Sequence, residues 1–154
     1  METNDIEQFR FLNVMKDEVM KMRFDYNMNL LQLICFEEAN LILDFIRAKF
    51  EGDIEAKRQL AQHRETSMGS QAIHLAAATG NRYIIEVLML EFEGDPFENT
   101  DGNQTVMHCA AQRYEGVLSI FIFNRCHGIE VTQVDNAKAT ALHFATTNML
   151  IKNV

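Results

Sequence analysis

Three histidines, His74, His108 and His143, each sit three residues after a polar residue that can open a helix: Gln71, Thr105 and Thr140. Imidazoles can ligate a transition metal or move protons near neutral pH. His108-Cys109 and Cys126-His127 form a mirrored pair of ligand types that suits zinc, yet neither follows a short C-x-x-C or H-x-x-x-H spacing. Nucleophilic catalysis would need an activated Ser or Cys with a separate base, and the chain has no glycine elbow and no phosphate-cradling glycine loop. Glu86, Glu91, Glu93, Asp95, Glu98 and Asp101 form an acidic run. It lacks the alternating oxygen ligands and central glycine of a calcium loop, so it reads as a solvated loop edge. No catalytic residue, metal or cofactor is therefore expected, and Cys109 reads as a small core hydrophobe.

The histidines are positioned by something larger, a repeat. Gln71-Ala72-Ile73-His74-Leu75-Ala76-Ala77, Thr105-Val106-Met107-His108-Cys109-Ala110-Ala111 and Thr140-Ala141-Leu142-His143-Phe144-Ala145-Thr146 align position for position, with the histidines 34 and 35 residues apart. Gly94 and Gly128 each follow a histidine by 20 residues. The same ruler exposes a degenerate copy, in which Gly52 lies 20 residues after Gln32, within Asn29-Leu30-Leu31-Gln32-Leu33-Ile34-Cys35. Phe50-Glu51-Gly52-Asp53 recurs as Phe92-Glu93-Gly94-Asp95, displaced by the same 42 residues that separate Gln32 from His74. Between the markers, Leu41 to Ile46 and Tyr83 to Leu88 carry apolar stripes of helical period. Histidines fixed by such a period lie apart along a stack and do not converge on one site, which favours a structural role.

Each repeated residue has a physical task. Thr105 and Thr140 are N-caps, Asn29 can replace them, and Gln71 does so less well, so a helix over 72–79 begins less firmly. A histidine three residues on faces back to the turn and can tie neighbouring layers. Alanines allow close helix packing, and Gly52, Gly94 and Gly128 suit a left-handed residue closing the second helix.

These motifs resemble the ankyrin repeat. The resemblance implies an all-α solenoid of paired antiparallel helices, with units at 25–66, 67–100, 101–135 and a partial 136–154. The turn proline is missing from all four units, and the loop glycine falls two residues late. His108 to Gln112, Ser119-Ile120 with Phe121 and Phe123, Gly128-Ile129, Asp135-Asn136 and Thr140 to His143 further resemble the N-terminal ankyrin region of DHHC-type protein S-acyltransferases. That likeness implies substrate recruitment or regulation for an enzyme beyond residue 154, since the Asp-His-His-Cys motif, the zinc-binding cysteines and the membrane helices are missing from these residues.

Composition narrows the partners. The 154 residues are 47% hydrophobic, with one proline, seven glycines and a net charge of -8, which suits one helical domain and gives no electrostatic footprint for nucleic acid or anionic lipid. Three unpaired cysteines, Cys35, Cys109 and Cys126, and no secretory leader pattern imply a reducing, cytoplasmic setting. The longest apolar stretch, Val117 to Phe123, is too short to span a bilayer.

Residues 1–24 place Ile6, Phe9, Leu12, Met15, Val19 and Met22 on one stripe and read as a capping helix. Ile54 to Glu65 is an insertion in the first unit, read as a short surface helix. After the helix begun at Thr140 only Asn148 to Val154 remain, too few for a second helix, so either the protein continues or a partner covers this end. The expected function is a protein-interaction module whose contacts are the variable polar residues of the turn tips and first helices: Ser67, Ser70, Thr79, Asp101, Gln104, Gln112, Arg113, Asn136, Lys138 and Thr147.

Overall fold

The computed structural model describes residues 16–112 and 116–152. Among them the regular elements are helical: α1 (Lys16–Lys21), α2 (Leu30–Phe36), α3 (Asn40–Lys49), α4 (Ile54–Gln62), α5 (Ala72–Thr79), α6 (Arg82–Glu91), α7 (Val106–Ala111), α8 (Gly116–Arg125) and α9 (Ala141–Lys152). A 3-10 turn at Asp25–Asn27 precedes α2, and a single antiparallel bridge joins Val134 to Thr140. The expected all-α class is therefore observed.

The first helices of the units, α2, α5, α7 and α9, pack one on the next, and α3 and α6 lie behind α2 and α5. The core follows from this order: Leu31, Ile34, Leu43 and Ile46 meet Ile73, Ile84, Ile85 and Leu88, all fully buried. Ala76, Ala77 and Ala110 lie where first helices stack, because a larger side chain would hold them apart. The helix ends obey local chemistry. Gly80 closes α5 at φ 80°, with Gly80 N–H donating to Ala76 and Ala77 carbonyls and Asn81 N–H to Ala76. Glu38 holds the same place after α2 at φ 56°.

Several expectations change here. Helix α1 ends at Lys21, not at residue 24, because Phe24 N–H turns to the Met28 carbonyl at 2.8 Å; the rest of the stripe, residues 1–15, lies outside the described residues. Val19 of α1 is nevertheless fully buried, and Lys16 pairs with Asp53 at 3.4 Å and stands over the Phe50 ring. The insertion is helical, capped by Asp53 on Ala56 N–H at 3.2 Å, but it is more than surface. Leu60 and Ala61 enter the core, and Lys57 is buried over the Phe92 ring beside Glu91 at 3.6 Å. Gly52 and Gly128 take positive φ as expected, whereas Gly94 does not. There Glu93 carries the left-handed turn, and Gly94 is needed for space, since a Cβ would lie 3.3 Å from the Leu88 carbonyl oxygen. Finally, α9 runs on through residue 148 to Lys152, and where α5 meets Gly80 the aligned position is Met149, which does not stop a helix.

Candidate binding groove

Four tips precede the four first helices. Each closes with one backbone bond: Phe24 N–H to Met28, Glu65 to Ser70, Thr100 to Gln104 and Asp135 to Ala139, at 2.8 to 3.1 Å. Adjacent tips are joined as well, by Thr66 N–H to Tyr26 carbonyl, Asp101 to Met68 and Asn136 to Gly102. Each tip holds a left-handed residue at the same register, Asn27, Gly69, Asn103 and Lys138, and the first tip adds Tyr26 at φ 55°. Asn and Gly tolerate that conformation best.

A second recurring position braces three of the tips. The buried Glu65 carboxylate accepts from Ser67 N–H and Oγ, Met68 N–H and Ser70 N–H. Burial opposes its ionisation, but these four bonds prevail and hold its carboxyl down to about 2. Thr100 Oγ1 accepts from Gln104 N–H, and Asp135 Oδ1 from Ala137 and Ala139 N–H, which keeps the Asp135 carboxyl below its ordinary range. Glu65, Thr100 and Asp135 are 35 residues apart; their differing identities hid this position from sequence comparison.

The histidines tie tips to helices. Nδ1 of His74 accepts from Gln71 N–H at 3.1 Å and Nε2 donates to the Glu98 carbonyl at 2.9 Å. Burial lowers its pKa and keeps the ring neutral. Nδ1 of His108 receives Thr105 N–H at 3.1 Å and the Thr105 hydroxyl at 2.8 Å, while Nε2 reaches the Ala139 carbonyl at 3.1 Å. Gln32 explains why the first unit works without histidine. Its Oε1 accepts from Asn29 N–H, and its two amide protons serve both the His63 carbonyl at 2.9 Å and the Ser70 carbonyl at 2.8 Å. These are the register equivalents of Glu98 and Ala139, so one amide makes both ties of which each imidazole makes one.

Of the three expected caps, Asn29 and Thr105 form, and among the described residues Thr140 makes no side-chain cap bond. Asn29 accepts from Gln32 N–H at 2.9 Å and Thr105 from His108 N–H at 3.3 Å. Thr140 holds His143 through its hydroxyl and N–H, but His143 is exposed. Gln71 makes no cap bond, and its Oε1 is buried without a partner.

The contact residues expected from sequence are scattered. Ser70 is not the exposed tip residue expected: it is buried with 7% exposure, its N–H spent on Glu65 and its carbonyl on Gln32, although it still borders the groove between the first two tips. Thr79 is half-buried, its hydroxyl on the Cys35 and Ala76 carbonyls. Ser67, Asp101, Gln112, Asn136, Lys138 and Thr147 are exposed and Gln104 half-buried; Arg113 lies outside the described residues. Asn136 donates to Asp101 carbonyl, and Thr147 to His143 carbonyl, so part of the set braces the backbone.

The structure brings together other residues. A groove of about 810 Å3 opens between the first two tips and the outward sides of α2 and α5. Leu33 and Leu75 form its floor, and Phe24, Tyr26, Phe36 and Met68 stand exposed around it, Tyr26 at 66% and Phe36 at 55%. Of the expected set only Ser67 and Ser70 line it. These apolar residues were missed because a turn Tyr and a helix-end Phe carry no polar signal; their spacing to Met68 through the repeat was the available clue.

The alternative chemistries can be placed too. Among the described residues no three His, Cys, Asp or Glu groups come together as a metal site would require. Cys35, Cys109 and Cys126 are buried and free, and burial raises each thiol, Cys109 to about 12, so none is poised as a thiolate. The acidic run is met by cations distant in sequence: Glu91 by Arg47 and Lys57, Glu93 by Arg58, and Glu98 by Arg64 at 2.8 Å. Three of these four cations come from the insertion and the residues just after it, an arrangement invisible in the local sequence.

No protein-family model matches the chain, and no curated protein matches it significantly. No helix among the described residues is long and apolar enough to cross a membrane.

Proposed function

We propose that this chain is an ankyrin-type repeat stack that binds a protein or peptide segment in the groove between its first two tips. The repeat architecture is supported by four tips bonded in register, consecutive packing of α2, α5, α7 and α9, and recurrence of the cap and layer-tie positions at displacements of 42, 34 and 35 residues. The observation that carries the binding reading is the groove itself. Four large apolar side chains stay exposed around a half-buried Leu33 and Leu75, although the core below them is filled. Exposed apolar surface gathered in a concavity, rather than scattered, is the usual mark of a recognition surface.

Selection from a displayed random-peptide library tests the reading. Peptides should be enriched on the wild-type chain and lose about tenfold or more in affinity on Phe36→Ser, a loss of about 1.4 kcal/mol, while the melting temperature stays within about 2 °C because Phe36 is exposed. A selected set indifferent to Phe36→Ser and to Tyr26→Ser would defeat it.

A further inference from the structure

The charges around the groove, taken with its apolar lining, point to the chemistry of its occupant. Resting on the binding reading above, we infer that the groove takes a short peptide segment in which an aromatic or branched aliphatic anchor lies beside Lys or Arg.

The apolar grip belongs to the first two units alone. Tyr26 aligns with Met68, then with Gly102 and Ala137, and Phe36 aligns with Ala78 and then Gln112. The register positions that carry large apolar side chains around the first groove therefore carry small or polar ones further along, so this site is built to seat a bulky anchor and its counterparts at those positions are not. Its depth is set by Leu33 and Leu75, which offer no polar atom to reward a buried polar group.

The rim selects for charge. Asp25 and Glu37 line the groove, and among the described residues neither makes an ion pair or a side-chain hydrogen bond. Several other surface carboxylates are matched, Asp44 and Glu91 by Arg47, Glu55 and Glu93 by Arg58, Glu98 by Arg64 and Glu86 by Arg82, so the nearest cations elsewhere are already engaged, whereas Asp25 and Glu37 stand open beside an apolar slot. The third groove carboxylate, Glu65, is consumed by its own tip. Arg23 is the cation of the lining, and its guanidinium is turned into the end of α1, donating to the Met20 and Met22 carbonyls at 2.8 and 2.6 Å. Two carboxylates thus flank an apolar slot on a chain of net charge -8. An acidic partner would be repelled at both ranges, whereas a cation beside the anchor meets Asp25 or Glu37 as the anchor enters.

The test uses three pools of fluorescein-labelled octapeptides on the full chain: a Phe or Leu anchor flanked by Lys, the same anchor flanked by Glu, and Ala flanked by Lys. At about 0.05 M salt the anchor-with-Lys pool should bind about tenfold or more tighter than either other pool, and much of this margin over the Glu pool should disappear at about 0.5 M salt. The double variant Asp25→Lys, Glu37→Lys should reverse the preference between Lys and Glu pools, with the circular dichroism spectrum unchanged. Equal binding of both anchored pools, each lost on Phe36→Ser, would overturn the basic-peptide inference and leave the groove standing. Binding of all pools that ignores Phe36→Ser would defeat the groove as well. Concentration-dependent dimerisation abolished by Phe36→Ser would also overturn it, since a second copy would then be the occupant.

Discussion

His108 and His143 sit in the same local motif and in different worlds. Each ring nitrogen Nδ1 holds a threonine three residues back, with 3.1 Å to the backbone N–H and 2.8 Å to the hydroxyl in both cases. Yet His108 is buried and reaches onward to Ala139, while His143 is exposed, and among the described residues its Nε2 has no acceptor. The ring orientation, with Nδ1 held by the threonine, comes from the seven-residue motif. The burial comes from the next tip laid on top, so the same three letters are worth different amounts at different levels of the stack.

The largest expected effect is a direct break of this pair. His108→Ala should lower the unfolding free energy by about 3 kcal/mol in urea denaturation, since it leaves Thr105 and Ala139 groups unpaired and opens a void beside Phe144. His143→Ala should cost about 0.5 kcal/mol or less. Equal losses would mean that the layer above contributes nothing.

Next comes the tip brace. Glu65→Gln should cost on the order of 2 kcal/mol, because an amide turns a donor toward backbone N–H groups that need acceptors. Glu65 is held down to about 2 in the folded chain, so its stabilisation is complete above the unfolded value of about 4.5 and fades as pH falls from there through 2. His74, with its pKa lowered by burial, acts in the same direction from about pH 6.5 downward, since unfolding then takes up a proton. An acid titration followed by circular dichroism should show both windows, and Glu65→Gln should flatten the lower one.

Gln71→Thr sharpens the comparison in the opposite sense. Threonine caps the aligned helix α7 through Thr105, whereas Gln71 makes no cap bond and buries an orphan oxygen. The substitution should raise stability by about 1 kcal/mol, read as a higher denaturation midpoint at unchanged slope. A small change is also expected for His108→Gln. Because Gln32 makes the same tie with an amide, this variant should lose under about 1 kcal/mol, far less than His108→Ala. A loss as large as that of alanine would show that the imidazole shape, and not the layer tie, matters.

Much of this was legible in advance. The alignment of Gln71, Thr105 and Thr140, the role of Asn29, the helical insertion and the structural character of His74 and His108 all rest on interactions within a few residues, or on a period that repeats them. The failures share a cause. Ser70 looked like a surface contact and is buried because Glu65 and Gln32 both reach it. Gly94 looked like a left-handed closure, and its role is instead to let the chain pass the Leu88 carbonyl. The cations that meet Glu91, Glu93 and Glu98 went unseen because Arg47, Arg58 and Arg64 lie more than thirty positions away, while Glu93, Glu98 and Asp101 do stay exposed, as a solvated edge requires.

The sequence by itself determined what short range and periodicity can determine: most helix starts, the tie residues, and the recurrence of one unit, because a helix start and a helical stripe are satisfied within one or two turns of chain. Only the tertiary structure decided which copy of a repeated residue is buried, which carboxylates are paired, and where apolar side chains are left uncovered. Those properties depend on what the neighbouring layer supplies. The groove is the sharpest case: Phe24, Tyr26, Phe36 and Met68 span 45 residues of sequence and become one surface only when the first two tips stand side by side over α2 and α5.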